Sequence, residues 1–326
     1  MKAHKRLVPL FVFLALLAAA GRLAARDYEG SFERKLTVAG PVELEVTTGS
    51  GNIDVHSGDA STVQVRGTIR VSRRIGADAA ARKIQYLQSN PPIEQSGNFI
   101  RVGRISDPEL RRHISISYEL VVPAATRLRS ETGSGDQAIE GIKGPVKAST
   151  GSGNIRVSSL DDEARLDTGS GDIELAGLSG AVYAQTGSGN IRANHLAGMV
   201  RAHTGSGDIR LEGNSTGPVR AETGSGNVEI HGVQGALRAQ TGSGNIIIQG
   251  EPRGDWKLET GSGNVSMHLP PQVGFSLYAH TGSGSINSDL QITIQGKLSR
   301  SELRGTVRGG GSLVEVGTGS GDIHIE

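Results

Sequence analysis

The chain has 326 residues, 48 of them Gly and none Cys, with 34 basic against 33 acidic side chains and only 3% aromatics. The missing cysteines exclude disulfides and a lipid-modified cysteine anchor. So few aromatics argue against the bulky core of a globular α/β enzyme, and the near-balanced charge gives no general attraction to nucleic acid.

Residues 1–20 read as a secretory signal peptide. Lys2, Lys5 and Arg6 form a basic start, residues 7–17 an apolar segment, and Ala18, Ala19 and Ala20 a small-residue cleavage site. Cleavage as late as residue 25 is a second reading. The apolar run is about 14 residues, short of the roughly 20 that a membrane span needs. Removing residues 1–20 leaves 31 basic against 33 acidic residues and no further membrane span. The expected location is therefore exported: periplasmic, cell-surface or secreted.

Residues 27–125 read as an N-terminal β segment. Residues 42–46 and 53–55 alternate apolar and polar on either side of a Thr48-Gly49-Ser50-Gly51 turn, and residues 63–71 alternate again. Residues 76–89 suit a short helix that ends at Asn90-Pro91-Pro92. It is expected to cap one end of the stack, since an open end exposes unpaired backbone.

Residues 126–288 form a regular array. Thr-Gly-Ser-Gly occurs eleven times, beginning at Thr48, Thr132, Thr150, Thr168, Thr186, Thr204, Thr223, Thr241, Thr260, Thr281 and Thr318. Between Thr132 and Thr260 every step is 18 or 19 residues, the mark of a stacked repeat. Apolar residues recur four and two before each Thr (Val146 and Ala148, for example) and five and seven after it (Ile155 and Val157). Alternation on both flanks means two short strands per coil, each with one buried face. The fold class is thus all-β, a parallel β-solenoid of about 18-residue coils with a short inserted helix. Gly-Ser-Gly is the bend, explained by glycine's tolerance of positive φ. A one-residue slip would turn every apolar column outward, so the period fixes the register. Residues 289–326 are expected to form a C-terminal β cap, with strands near 291–294, 297–303 and 313–316 and a last motif that rejoins the stack.

Three columns could carry chemistry. Four residues after Thr stand Asn154, Asp172, Asn190, Asp208, Asn227, Asn245 and Asn264, read as a structural turn ladder. Calcium is the alternative, because Gly-x-Gly-x-Asp repeats bind it in β-rolls. The 18-residue period and the frequent Asn weigh against it, since hard cations want several carboxylates. The Thr column could be an exposed hydroxyl row, but it shares parity with the inward columns. Three before Thr stand Lys147, Arg165, Tyr183, Arg201, Arg220, Arg238, Lys257 and Tyr278. The cations Lys147, Arg165, Arg201, Arg220, Arg238 and Lys257 form a candidate ligand-binding column on an outward face. The same residues read alternatively as a solvated face, with Arg165/Asp167, Arg220/Glu222 and Lys257/Glu259 as ion pairs. No catalytic, cofactor-binding or metal-ligating set stands out. His195 and His203 have no assignable carboxylate partner.

The recurrent Thr-Gly-Ser-Gly-(Asn/Asp)-Ile, the leader and the closing Gly321-Asp322-Ile323 resemble a bacterial family of putative adhesins, a domain of unknown function with β-solenoid repeats. The resemblance spans roughly residues 30–326. It implies a repetitive β-solenoid and brings no catalytic residues. The expected function is a non-enzymatic exported scaffold whose partner is an envelope polymer, glycan or surface protein. The alternatives are a sensory or envelope-stress accessory protein that binds a membrane protein, and a carbohydrate-active β-helix enzyme.

Overall fold

The computed structural model describes residues 27–213, 215–294 and 299–326. The signal-peptide reading of residues 1–20 lies outside these residues, as does part of the strand expected over 297–303. Among the described residues no helix is long and apolar enough to cross a membrane.

The protein is a parallel β-solenoid of two facing sheets, one of 14 strands and one of 15. Each coil, named here by its motif Thr, gives one strand to each sheet. In the Thr150 coil these are Val146–Thr150 and Ile155–Leu160. Stacking is in register, with one shift where Val233 pairs with Gly250. Val146 lies beside Ala164, Ala148 beside Leu166 and Thr150 beside Thr168, while Ile155 lies beside Ile173. The inward columns form one continuous core, with Val146, Ile155, Ile173 and Ile191 all nearly inaccessible.

A third inward column lies ten residues after Thr, at Ile142, Leu160, Leu178, Leu196 and Val233. It turns inward because the preceding residue adopts positive φ, at Gly141, Ser159, Gly177, His195 and Gly232. Residue identity hides this column in the sequence, because Ser and His occupy two of its left-handed positions.

The motif glycines have a cause beyond the expected positive φ, which holds only from Gly226 onward. A Cβ on Gly135, Gly153, Gly171 or Gly189 would lie 1.8–1.9 Å from the carbonyl oxygen of the matching glycine one coil below. Through Gly207 none of the second glycines lies at left-handed φ; that conformation begins at Gly226. Close approach of stacked backbones therefore demands glycine.

Both ends are closed out of chain order. At the N-terminal end the Thr48 coil lies directly beneath the Thr132 coil, with Thr48 beside Thr132. The chain between them wraps below: Phe99–Val102 pairs with Val42–Thr48, and Ile114–Pro123 with Ile53–Gly58. Thr62–Val71 and Tyr28–Thr37 then add antiparallel. Helix α1 (Ala77–Ser89) packs on these two strands and buries Ala80 and Leu87. At the C-terminal end the Thr318 coil inserts between the Thr260 and Thr281 coils. Thr260 pairs with Thr318, and Thr318 in turn with Thr281. The last motif is thus the penultimate rung, which corrects the expectation of an uninterrupted array through residue 288. Val314, Val316, Ile323 and Ile325 fill that rung and are fully buried. Glu302–Val307 covers the outer side of Phe275–Ser283 antiparallel.

Candidate functional site

All eleven motif threonines are buried, so they form no exposed hydroxyl row. Each hydroxyl donates to a backbone carbonyl in the layer below, as Thr168 Oγ1 does to Gly153 O at 2.8 Å and Thr318 Oγ1 to Gly263 O at 2.9 Å. In the Thr132 to Thr186 coils it also accepts from the second motif glycine, at 3.1–3.2 Å.

The Asn/Asp column makes a second ladder. Each Oδ1 accepts the backbone N–H of its counterpart one coil up. Asn154 thus receives Asp172, Asp172 receives Asn190, and Asn190 receives Asp208, at 2.8–2.9 Å. The chain of bonds continues through Asn227, Asn245 and Asn264, and Asn264 accepts from Asp322. Asp322 bonds Ser285 through both its N–H and Oγ. Those bonds hold the Asp322 carboxyl below the ordinary carboxylate range. With Oδ1 committed to the neighbouring coil, these side chains act as turn locks.

The basic column runs along the outward face of the 15-stranded sheet. Register places Lys147, Arg165, Tyr183, Arg201, Arg220, Arg238 and Lys257 side by side on consecutive coils. Arg129 extends it below Lys147. The same alignment on Thr132 would have revealed Arg129 in the sequence. Glu315 ends the column, because the inserted coil sets it between Lys257 and Tyr278.

Within the column the charges differ in availability. Arg220 pairs with Glu222 at 2.6 Å, and Lys257 with Glu259 at 2.8 Å and Glu315 at 3.3 Å. Hydrogen bonds that Lys257 donates to Glu259 and Glu315 raise its pKa. Partial burial works against the Glu259 charge, yet bonds from Lys257 and Gln240 bring its pKa below the usual value. Arg238 reaches Gln240 at 3.0 Å and Glu222 at 3.7 Å. Arg165 pairs with Glu163, two residues before it, rather than with Asp167, two residues after it on the same face. Among the described residues no carboxylate lies within ion-pair distance of Lys147 or Arg201.

Tyr183 stands between two of these cations. The Arg165 guanidinium lies 4.8 Å from its ring centroid and that of Arg201 6.0 Å, both within cation–π range. Together with Ser149, Gln185 and His203 these side chains line an open groove of about 530 Å³. Its polar groups are mixed: four cations, the Asp167 and Glu222 carboxylates, and neutral donors and acceptors. Such a lining suits a ligand with both anionic and hydroxyl groups.

The repeat, the two-sheet solenoid and the ladders define a stacked all-β scaffold. The chain matches the family described as Toastrack DUF4097 over residues 39–198 and again over residues 196–326, and it belongs to that family. No curated protein matches it. Among solved structures it is similar to a putative cell adhesion protein from Clostridium sporogenes ATCC 15579. That match has 12% identity, covers 91% of this chain and 99% of the other, and has a TM-score of 0.18. It is similar as well to a putative adhesin from Bacteroides fragilis NCTC 9343, at 13% identity, with 91% and 97% coverage and a TM-score of 0.32. At such low similarity neither neighbour's description transfers to this chain.

Proposed function

We propose that the protein is a non-enzymatic exported scaffold that holds an acidic glycan or related anionic envelope polymer along its basic face, in the manner of an adhesin. One observation carries the reading: among the described residues Lys147 and Arg201 have no carboxylate within ion-pair distance, in a groove whose cations repeat at coil spacing. Rung spacing of about 4.8 Å is close to the length of a sugar residue, so successive coils can meet successive residues of an extended chain. Cations stacked at that spacing raise the local potential for a polyanion.

The test is titration of an acidic polysaccharide, polygalacturonate, against residues 27–326 at two salt concentrations, with a neutral polysaccharide in parallel. Binding of the acidic polymer is expected to weaken with salt, as screening requires. It should fall at least tenfold in the Lys147→Ala/Arg201→Ala double variant. Because both side chains are exposed, the variant is expected to keep the parent's unfolding midpoint. Equal binding by the variant would remove the column from the site. Failure of acidic polymers to bind would move the reading to a membrane-protein partner.

A further inference from the structure

The out-of-order insertion of the last coil brings together side chains that the sequence keeps far apart. Asp289 belongs to the Thr281 coil, His324 and Glu326 to the Thr318 coil, and His268 to the Thr260 coil. The ligand atoms of Asp289, His324 and Glu326 lie within 4.8 Å of one another. His324 Nε2 is 4.0 Å from Asp289 Oδ2 and 3.7 Å from Glu326 Oε2. The other Glu326 oxygen, Oε1, meets His268 Nδ1. This cluster lies on the 14-stranded sheet, opposite the basic groove, and plays no part in the proposed polymer site.

We infer that Asp289, His324 and Glu326 bind one divalent transition-metal ion of the zinc class, with His268 orienting the Glu326 carboxylate, and that the ion clamps the last three coils together.

Four observations carry this. First, donor atoms around a tetrahedral zinc, each about 2.0–2.2 Å from the metal, lie roughly 3.3–3.5 Å apart. The two His324 separations of 3.7 and 4.0 Å therefore need to close by about half an ångström, and the Asp289–Glu326 pair, which lies within 4.8 Å, by about 1.4 Å at most, through side chains that are exposed or half-buried. Second, the backbone of each contributing segment is fixed. Glu326 N donates to Met267 O, Leu269 N to Glu326 O, and Asp289 N to Ile325 O, at 2.7–2.9 Å. Ligands on hydrogen-bonded strand ends are held closer to productive geometry than ligands on a free loop. Third, among the described residues Asp289 and Glu326 have imidazoles as their only ion-pair partners, with no Lys or Arg to neutralise the two carboxylates. Fourth, an imidazole with two carboxylates is the donor set of a borderline metal rather than of calcium or magnesium, which favour all-oxygen shells. The His268–Glu326 contact places an imidazole beside the second carboxylate oxygen, where an outer partner commonly aims a metal-binding side chain.

The experiment uses residues 27–326 free of any histidine tag and stripped with chelator. Zinc is titrated by calorimetry, and amide hydrogen exchange is measured with and without zinc. The expected result is one zinc per chain, with affinity at least tenfold weaker in His324→Ala and in Asp289→Asn. Magnesium and calcium should bind neither parent nor variant. Bound zinc should slow exchange in residues 286–289 and 323–326. The metal-free variants should keep the parent's circular dichroism and unfolding midpoint, which separates lost ligation from lost folding. No zinc uptake, or uptake unchanged in both variants, would overturn the site. Uptake without slower exchange in those residues would overturn the clamp.

Discussion

Replacing Gly171 by Ala tests whether backbone approach, rather than turn conformation, makes the motif glycines obligatory. An added Cβ would lie 1.8 Å from Gly153 O, 2.4 Å from Gly153 C and 2.9 Å from Asn154 N. All three atoms are backbone, so no side chain can swing aside. Relief requires the Thr150 and Thr168 coils to part at this corner. Three hydrogen bonds bridge them there: Thr168 Oγ1 to Gly153 O at 2.8 Å, Asp172 N to Asn154 Oδ1 at 2.8 Å, and Gly169 N to Thr150 O at 3.2 Å. At about 1 kcal/mol net each, their loss costs about 3 kcal/mol. Forced overpacking costs about 1–3 kcal/mol by the general record, which agrees. The control is Gly49→Ala in the lowest motif coil, where an added Cβ meets nothing within 4 Å. With no clash and a less flexible unfolded chain, it should be neutral or stabilise by about 0.4–1 kcal/mol. Urea unfolding followed by circular dichroism measures both, with local hydrogen exchange to detect a single coil opening without global unfolding. If Gly171→Ala and Gly49→Ala have the same midpoint, the close-approach explanation is wrong.

His195 sits at φ 54°, where its neighbours in the column carry Gly177 and Gly213. His195→Gly should raise stability by about 0.5–1 kcal/mol, the left-handed cost of about 1–2 kcal/mol less glycine's entropy in the unfolded chain; an unchanged or lower urea midpoint would contradict it. pH dependence follows from two groups of opposite sign. Asp322 has a lowered pKa through its Ser285 bonds. Its stabilisation is complete above the ordinary carboxylate value and is lost as pH falls through the lowered one. For His231 partial burial opposes the charge, yet bonds to Gln249 and Glu229 raise the pKa overall, against a smaller opposing effect from Arg210. Its contribution is complete below the ordinary histidine value and fades as pH rises through the raised one. Thermal midpoints across pH should show both limbs, with Asp322→Asn flattening the acid limb and His231→Gln the neutral one; a variant profile parallel to the parent's would refute the assignment.

Much of the coil was legible because its pattern is local. Period-two alternation on both flanks of each Thr placed Val146, Ala148, Ile155 and Val157 inside, and all four are buried. Stacking order was not legible. Eleven nearly identical motifs pair equally well by sequence, and nothing within the Thr318 copy says that it slots beneath Thr281. The decision lies in the chain between them, where Glu302–Val307 covers one side of Phe275–Ser283 and leaves the other for Leu313–Ser320. Ion pairing was legible in part. Arg220/Glu222 and Lys257/Glu259 form as the spacing suggested, but Arg165 had acidic neighbours two residues away on either side and took Glu163. The Asp289, His324 and Glu326 cluster could not be read at all, since it depends on that same stacking order.

The two ends of the solenoid solve one physical problem in related ways. A stack of identical coils has no intrinsic terminus, and each open end presents apolar columns and unpaired strand edges to water. Here neither the first nor the last motif stands at an end. The Thr48 coil is covered by chain that follows it, and the Thr318 coil by chain that precedes it. Each boundary rung is thereby held on both sides, and opening one exposes two interfaces. In the Thr318 rung the buried Val314, Val316, Ile323 and Ile325 are each worth about 1.5–3 kcal/mol of burial, so the final coil is held by its core before any ion is bound. A metal clamp at Asp289 and His324 would then act on the outer face of an already closed structure. It would tune how readily the last coil peels away, leaving the repeat itself unchanged.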